Sequence, residues 1–177
     1  MSEISIKEEW RSRDGYLNYQ VSNLGRVRNS TTGRMLKPCI NKNGCLHVCL
    51  SKNNKQKHGI IHRLVMQEFT NNPENKEFVD HIDHDKTNNC LTNLRWATNS
   101  ENQMNSIKQR NTNNKYKGVH FEHGRWRVRI KTNGKFKHVG LFDDEKEAAR
   151  AYNEQAREIY CEYANLNDIS DDEVESD

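Results

Sequence analysis

Hydrophobic positions along this chain come in short clusters divided by polar, turn-prone residues, and the rhythm of the clusters changes twice. Over residues 1–57 apolar and polar positions alternate only briefly before a turn residue intervenes. Tyr19-Gln20-Val21 and Arg26-Val27-Arg28 flank Ser-Asn-Leu-Gly, which predicts two short strands around a turn. Asn43-Gly44 precedes the run CLHVCL. An Asn-Gly pair beside β-prone residues predicts a hairpin whose two central residues take φ > 0. The segment SKNNKQKHG then reads as an exposed basic loop.

Between 58 and 110 the period lengthens. IIHRLVMQEF puts Ile61, Leu64, Val65, Met66 and Phe69 on one face of a short helix, which Asn71-Asn72-Pro73 stops. Polar, Asn-rich sequence leads to LRWAT, a short strand, and NSENQMN starts another helix with Thr98 or Ser100 as its N-cap. From 111 to 167 the pattern is most regular. GVHFE, RWRVRIK and KFKHVGLF, divided by His123-Gly124 and Asn133-Gly134, predict a three-stranded antiparallel meander. DDEKEAARAYNEQAREIY follows as a helix with Asp144 and Glu147 in capping-box spacing. Its Ala148, Ala149, Tyr152, Ala156 and Ile159 share one face, and a helix across three strands suffices for a small core.

Composition narrows the class. Of 177 residues only 33% are hydrophobic and 30% are charged, too polar a mixture to fill one large core. No apolar stretch approaches the roughly 20 residues that cross a bilayer. The start, MSEISIKEEW, lacks the apolar segment of a secretion signal, so an intracellular, non-secreted protein is expected. Five cysteines, an odd number, fit reduced thiols better than disulfides.

Charge changes the picture more. The net +3 conceals a tail, residues 168–177, with six acids and no base; without it the chain has 28 basic and 19 acidic residues. Residues 106–139 hold ten Lys or Arg against the single acid Glu122. Such a stretch is either a solvated face or a footprint for a polyanion. If RWRVRIK is a strand, Arg125, Arg127, Arg129 and Lys131 share one face while Trp126, Val128 and Ile130 share the other. An arginine row on a ribbon fits the major groove, reaching guanine edges or phosphates.

The candidate chemistry lies in VDHIDHDKTNNCLTNLRWATNSEN, residues 79–102. Asp80 and His81 are adjacent at the end of a strand-like piece, and Asn102 lies 22 positions later at the start of a helix. Antiparallel strands with the helix behind them could bring Asp80 and Asn102 to one point. A carboxylate and an amide oxygen are hard ligands suited to magnesium, and a neighbouring histidine suits a general base for water. No serine or cysteine nucleophile stands beside a partner, so phosphodiester hydrolysis fits better than acyl transfer. A lone Asp-His pair in an Asn-rich loop is ordinarily structural; here several spaced blocks accompany it. His62 reads as a packing or hydrogen-bonding residue, and Asp83 and Asp85 as turn formers.

HRLV, VDHIDHDKTNN, NLRWAT and SENQMN together resemble the His-Asn-His family of ββα-metal endonucleases, closest to its homing-type branch. The resemblance implies a metal on Asp80 and Asn102 and His81 as general base. It also implies that Asn93 braces the loop between the strands and so orients His81. The chain has Asn102 at the third signature position, as that branch does, and His84 where a Gly is usual. One Mg2+ or Mn2+ per site is implied, stabilising the pentacovalent phosphorus and the leaving 3′ oxygen.

YKGVHF, RWRVRI, VGLFDDEKEAARAYNEQA and YANLN are similar to the ethylene-response-factor type of DNA-binding domain, which reads DNA with a three-stranded sheet. The resemblance makes Lys115, Lys117, Arg125, Arg127, Arg129 and Lys131 candidate DNA contacts. WRSRDGYLNYQVSNLGRVRN resembles a modular motif found in front of such nucleases, which adds Arg26 and Arg28. Cys39, Cys45, Cys49, His47 and His58 lack the paired spacing of structural zinc, and the three cysteines are expected to be buried thiols.

The expected fold class is α+β. A DNA-binding motif spans 1–57, a ββα-metal nuclease core 58–110 and a three-stranded sheet with one helix 111–167. The acidic tail, 168–177, is expected to be disordered. The expected function is metal-dependent, sequence-directed nicking or cleavage of double-stranded DNA, with no membrane and no protein partner. A DNA-binding regulator with an inactive core and an RNA-binding protein are the alternatives.

Overall fold

Turns set the strand pairing in this protein, and the pairing positions everything else. The computed structural model describes residues 6–106, 115–132 and 134–169, a mixed α/β chain of small antiparallel sheets in two compact units, 1–98 and 99–177. In the first unit β1 (Trp10–Ser12), β2 (Tyr19–Ser22) and β3 (Val27–Asn29) form one sheet in that order. Val21 faces Val27 across the turn at 22–26, and both are buried. Gly25 takes φ +78° there, a conformation open to glycine at no steric cost.

The second sheet departs from expectation twice. It comprises β4 (Cys39–Ile40), β5 (Leu46–Lys52) and β6 (Lys55–Ile60). Of Asn43-Gly44 only Gly44 has positive φ, because the loop is longer than a two-residue turn. Asn41 Oδ1 closes it by accepting from the amides of Asn43 at 2.9 Å and Cys45 at 3.0 Å. The expected basic loop is instead a hairpin. Asn53 and Asn54 both sit in the left-handed region, φ 52° and 59°, which asparagine tolerates better than most residues. This pairing also places Cys39 opposite His47 and Cys49 opposite His58. Val48 and Leu50 take the inner face, so Cys39 and Cys49 are exposed rather than buried, as is Cys161, while Cys45 and Cys90 are half-buried.

Helix α1 (Ile61–Phe69) follows directly, buries Ile61, His62, Leu64, Val65 and Met66, and ends at Thr70. β7 (Phe78–His81) pairs with β8 (Leu94–Ala97). Val21, Val27, Val48, Leu50, Leu64, Val65 and Leu94 belong to one continuous core. The stretch before residue 57 and the helix and strands after it therefore bury the same apolar surface.

In the second unit α2 (Asn99–Met104) has no buried residue, and Ser100 lies inside it rather than before it. β9 (Val119–Glu122), β10 (Arg125–Thr132) and β11 (Lys135–Phe142) form the meander, with His123 and Gly124 both at positive φ. A bulge between Val128 and Arg129 shifts the register against β11. Helix α3 (Glu145–Tyr160) is capped by Asp144, whose side chain accepts from the Glu147 amide. Ala148, Ala149, Tyr152 and Ala156 are buried against Val128 and Ile130, with Ile159 at the edge. The Asn133 half of the second turn, the boundary near 110 and all but the first two residues of the acidic tail fall outside the described residues.

Gly118 is the tightest point of this unit. A methyl group there would lie 2.3 Å from the Tyr152 ring, at φ +74°. Gly118→Ala is expected to cost about 2 kcal/mol or more through overpacking and backbone strain. Urea unfolding of the two proteins, compared by midpoint, checks this.

Candidate active site

Strand β7 ends in two buried ionisable side chains, Asp80 and His81, 5% and 7% exposed. A buried carboxylate needs a partner. Register supplies it: Asp80 stands opposite Arg95 of β8, whose Nε and Nη2 donate to Asp80 Oδ2 at 2.8 and 2.7 Å. Sequence reasoning missed Arg95. The signal was the pairing of the two strands, which puts the third residue of NLRWAT across from the acid once the register is known.

His81 is held from two sides. Its Nε2 lies 3.3 Å from Asn89 Oδ1, and the His62 ring stands perpendicular to it with centroids 4.9 Å apart. Asn89 Nδ2 donates to the Thr87 carbonyl at 2.9 Å, which turns the amide oxygen toward His81. That oxygen only accepts, so Nε2 carries the imidazole proton and the basic lone pair falls on Nδ1. Asn89, 4% exposed, was not singled out in the sequence. Burial is the main force on His62; with the charge of His81 and Arg63 it pushes that imidazole down to about 4.

The loop from 82 to 93 is closed by Asn93. Its carbonyl accepts from the Ile82 amide at 2.9 Å and its Oδ1 from the Asp83 amide at 3.0 Å. Its Nδ2 donates to Asp83 Oδ1 at 2.7 Å and to the Asn88 carbonyl at 2.9 Å. Asp83 and Asp85 act as turn acceptors inside the loop. Burial raises the Asp83 carboxyl, but bonds from Asn88, Asn93 and the Asp85 amide outweigh it and hold it low. The Thr87 hydroxyl and amide likewise hold Asp85 low. His84 occupies the turn at φ +66°.

The first unit thus brings together Asp80, His81 and Asn93. Asn102 belongs to the second unit, half-buried on α2. Among the described residues no group of three or more His, Cys, Asp or Glu side chains is placed to hold a metal. A cation at Asp80 would therefore draw on amide and water oxygens as well. That donor set, hard oxygens with few fixed ligands, fits magnesium or manganese.

The candidate DNA contacts are more varied. Arg26 pairs with Glu8, whose carboxyl is held low by that bond. Arg28 donates to Gln20 Oε1 at 2.9 Å and stacks 4.0 Å above the Trp10 ring. Lys115 lies 5.5 Å from the Tyr116 ring. Lys117 Nζ donates to the carbonyls of Met104 at 2.7 Å and Ser106 at 2.8 Å, and burial pushes its ammonium down to about 8. On the outer face of β10, Arg125 pairs with Asp143 at 2.8 Å and Arg127 with Glu122 at 3.0 Å. Arg129 lies 4.7 Å over Phe136 and Lys131 is exposed. Lys117, His120, Arg129, Lys131 and Phe136 also line an open cleft of about 610 Å³.

Part of the chain matches known proteins. Residues 8–51 match the NUMOD4 motif and residues 60–104 match the HNH endonuclease family. An uncharacterized HNH endonuclease of Acanthamoeba polyphaga mimivirus is 43% identical over 93 residues, 52% of this chain and 28% of the relative. The DNA endonuclease I-HmuI of Bacillus phage SP01 is 45% identical over 100 residues, 54% of this chain and 58% of the phage enzyme. A solved structure of DNA binding and cleavage by the HNH homing endonuclease I-HmuI superposes with a TM-score of 0.50 at 45% identity, covering 54% of this chain and 57% of that one. The chain thus spans little more than half the length of the phage enzyme. No helix among the described residues is long and apolar enough to cross a membrane.

His62 gives the site a measurable acid response. Its folded value, about 4, lies below the ordinary 6.5, so between those values the unfolded chain binds more protons. Stability should be unaffected by this group above pH 6.5 and decline as pH falls toward 4, by up to about 3 kcal/mol. His62→Leu should flatten that decline, as read by urea unfolding at pH 7 and pH 5.

Proposed function

We propose, from the premise that residues 8–104 are a NUMOD4 motif joined to an HNH endonuclease domain, that this chain cuts double-stranded DNA by phosphodiester hydrolysis. The observation that carries the reading is the buried Asp80–His81 pair, fixed by Arg95 and Asn89 within the HNH-matching stretch. HNH endonucleases generally use a divalent metal. Its proposed ligands are Asp80 and Asn102, and when bound it supplies charge stabilisation at the phosphate.

The chain's own residues do the rest. His81 Nδ1 takes a proton from water, which makes that water a nucleophile for phosphorus. Asn89 holds the imidazole tautomer, Arg95 orients the Asp80 carboxylate, and Asn93 fixes the loop that carries Asn89. The C-terminal sheet is read as a DNA-binding module of the ethylene-response-factor type, supported by Arg125, Arg127, Arg129 and Lys131 on its outer face. Arg26, Arg28, Lys115 and Lys117 are secondary contacts. The target lies in the DNA of an infected cell, as the phage and mimivirus relatives suggest.

Incubation with a random-sequence duplex library and Mg2+, followed by sequencing of cut ends, tests the function. Cleavage that stops in excess EDTA supports it; binding without cleavage would favour the regulator. His81→Ala should lower cleavage of a selected duplex by on the order of 10²-fold or more, with affinity nearly unchanged, because a base acts only in the transition state. Wild-type turnover would remove His81 from the mechanism. Neutralising Arg125, Arg127 and Arg129 together should flatten the dependence of log affinity on log salt by up to about 0.9 per lost phosphate contact. An unchanged slope would mean that this face does not meet DNA.

A further inference from the structure

Besides the shared core, the NUMOD4-matching stretch meets the loop from 82 to 93 at a crowded point next to Asn89, the residue that touches His81. The turn at 22–26 is closed by Ser22, fully buried, whose amide donates to the Arg26 carbonyl at 2.8 Å and whose Oγ accepts from the Arg26 amide at 3.1 Å. Asn23 ties the turn outward. Its side chain accepts from the Glu9 amide at 2.9 Å and donates to the Lys7 carbonyl at 3.1 Å. Its own carbonyl accepts from the Leu91 amide at 2.7 Å, the shortest backbone bond that reaches the loop from 82 to 93.

Gly25 faces Asn89. A methyl group on Gly25 would lie 2.7 Å from Asn89 Cβ and 2.9 Å from the Asn89 carbonyl oxygen. Neither neighbour is a flexible side-chain end, so the loop itself would have to move. Asn89 is the residue whose Oδ1 meets His81 Nε2.

We propose that the turn at 22–26 is a positioning element for His81, with Gly25 and Asn23 as positioning residues that act through Asn89. The motif in front of the nuclease is then part of the scaffold of the general base, besides any contact it makes with DNA. The inference rests on the reading of His81 as that base. A shift of Asn89 by a few tenths of an ångström loosens a bond already at 3.3 Å and lets the imidazole rotate. Misplacement on this scale lowers turnover without altering the surfaces that bind duplex.

The test uses the full chain and a duplex selected by cleavage. Gly25→Ala should lower single-turnover cleavage by about 10- to 100-fold while the duplex Kd stays within about twofold. Hydrogen exchange at the Leu91 amide, measured without metal or DNA, should accelerate. Added to His81→Ala, Gly25→Ala should cost nothing more, since residues acting through one group are non-additive. If Gly25→Ala fails to fold, Asn23→Ala replaces it, cutting the outer tie without adding an atom, and must show the same pattern at smaller size. Unchanged cleavage, a full additional loss in the His81→Ala background, or a matching fall in duplex affinity would each overturn the proposal. Failure of the base reading shows separately, as wild-type turnover in His81→Ala alone.

Discussion

Two neighbouring ionisable side chains on one buried strand constrain the first unit of this protein. Neither Asp80 nor His81 can be charged or polarised in an apolar surrounding without a fixed partner, because an unpaired buried polar group costs more than a formed hydrogen bond returns. Arg95 answers the acid from the opposite strand and Asn89 answers the imidazole from the loop. Each answer makes a further demand. Arg95 needs the β7–β8 register held to the residue, and Asn89 needs a loop that is closed rather than mobile. Asn93 meets the second demand with four hydrogen bonds across the loop.

The shared core follows from the same pressure. β7 and β8 have only four residues each, too little to bury two polar side chains by themselves. Leu94 packs with α1 and with Val21, Val27, Val48 and Leu50 from the two N-terminal sheets. A two-stranded hairpin is marginal in water and gains its stability by packing against other layers. The N-terminal sheets therefore stabilise the site as well as preceding it, and the boundary expected at 57 falls inside β6, within a single packed body.

What could be read from the sequence depended on how local the cause was. The turn at Ser-Asn-Leu-Gly, the His123-Gly124 turn, the apolar face of α1 and the Asp144 cap are each decided within a few residues, and each is found in place. The Asp80–His81 pair was legible because its spaced blocks are continuous in sequence. Arg95 and Asn89 were not, since their roles come from register and loop closure, which link positions 15 and eight residues apart through space. The β5–β6 hairpin hid behind Asn53-Asn54, a turn without glycine, and behind a β6 strand that is mostly exposed and so carries no apolar alternation. The exposed cysteines share that cause. Without the hairpin nothing in the sequence says which face of β5 points inward.

The outer face of β10 shows how a basic row stays compatible with a folded surface. Four cations at alternate positions repel one another, and the fold answers with carboxylates at the rim: Asp143 on Arg125 and Glu122 on Arg127. Both pairs are exposed, where an ion pair contributes little net stability and is screened by salt. An exposed carboxylate partner is therefore readily exchanged for a phosphate, whereas the buried Arg95–Asp80 pair is not, since removing its partner strands a charge away from water. Burial thus sets Arg95 apart from Arg125 and Arg127. Arg95 keeps a fixed geometry on Asp80, and Arg125 and Arg127 keep charges that solvent and counter-ions can reach. Access of water to the guanidinium is the physical quantity that separates a fixed ion pair from an exchangeable one.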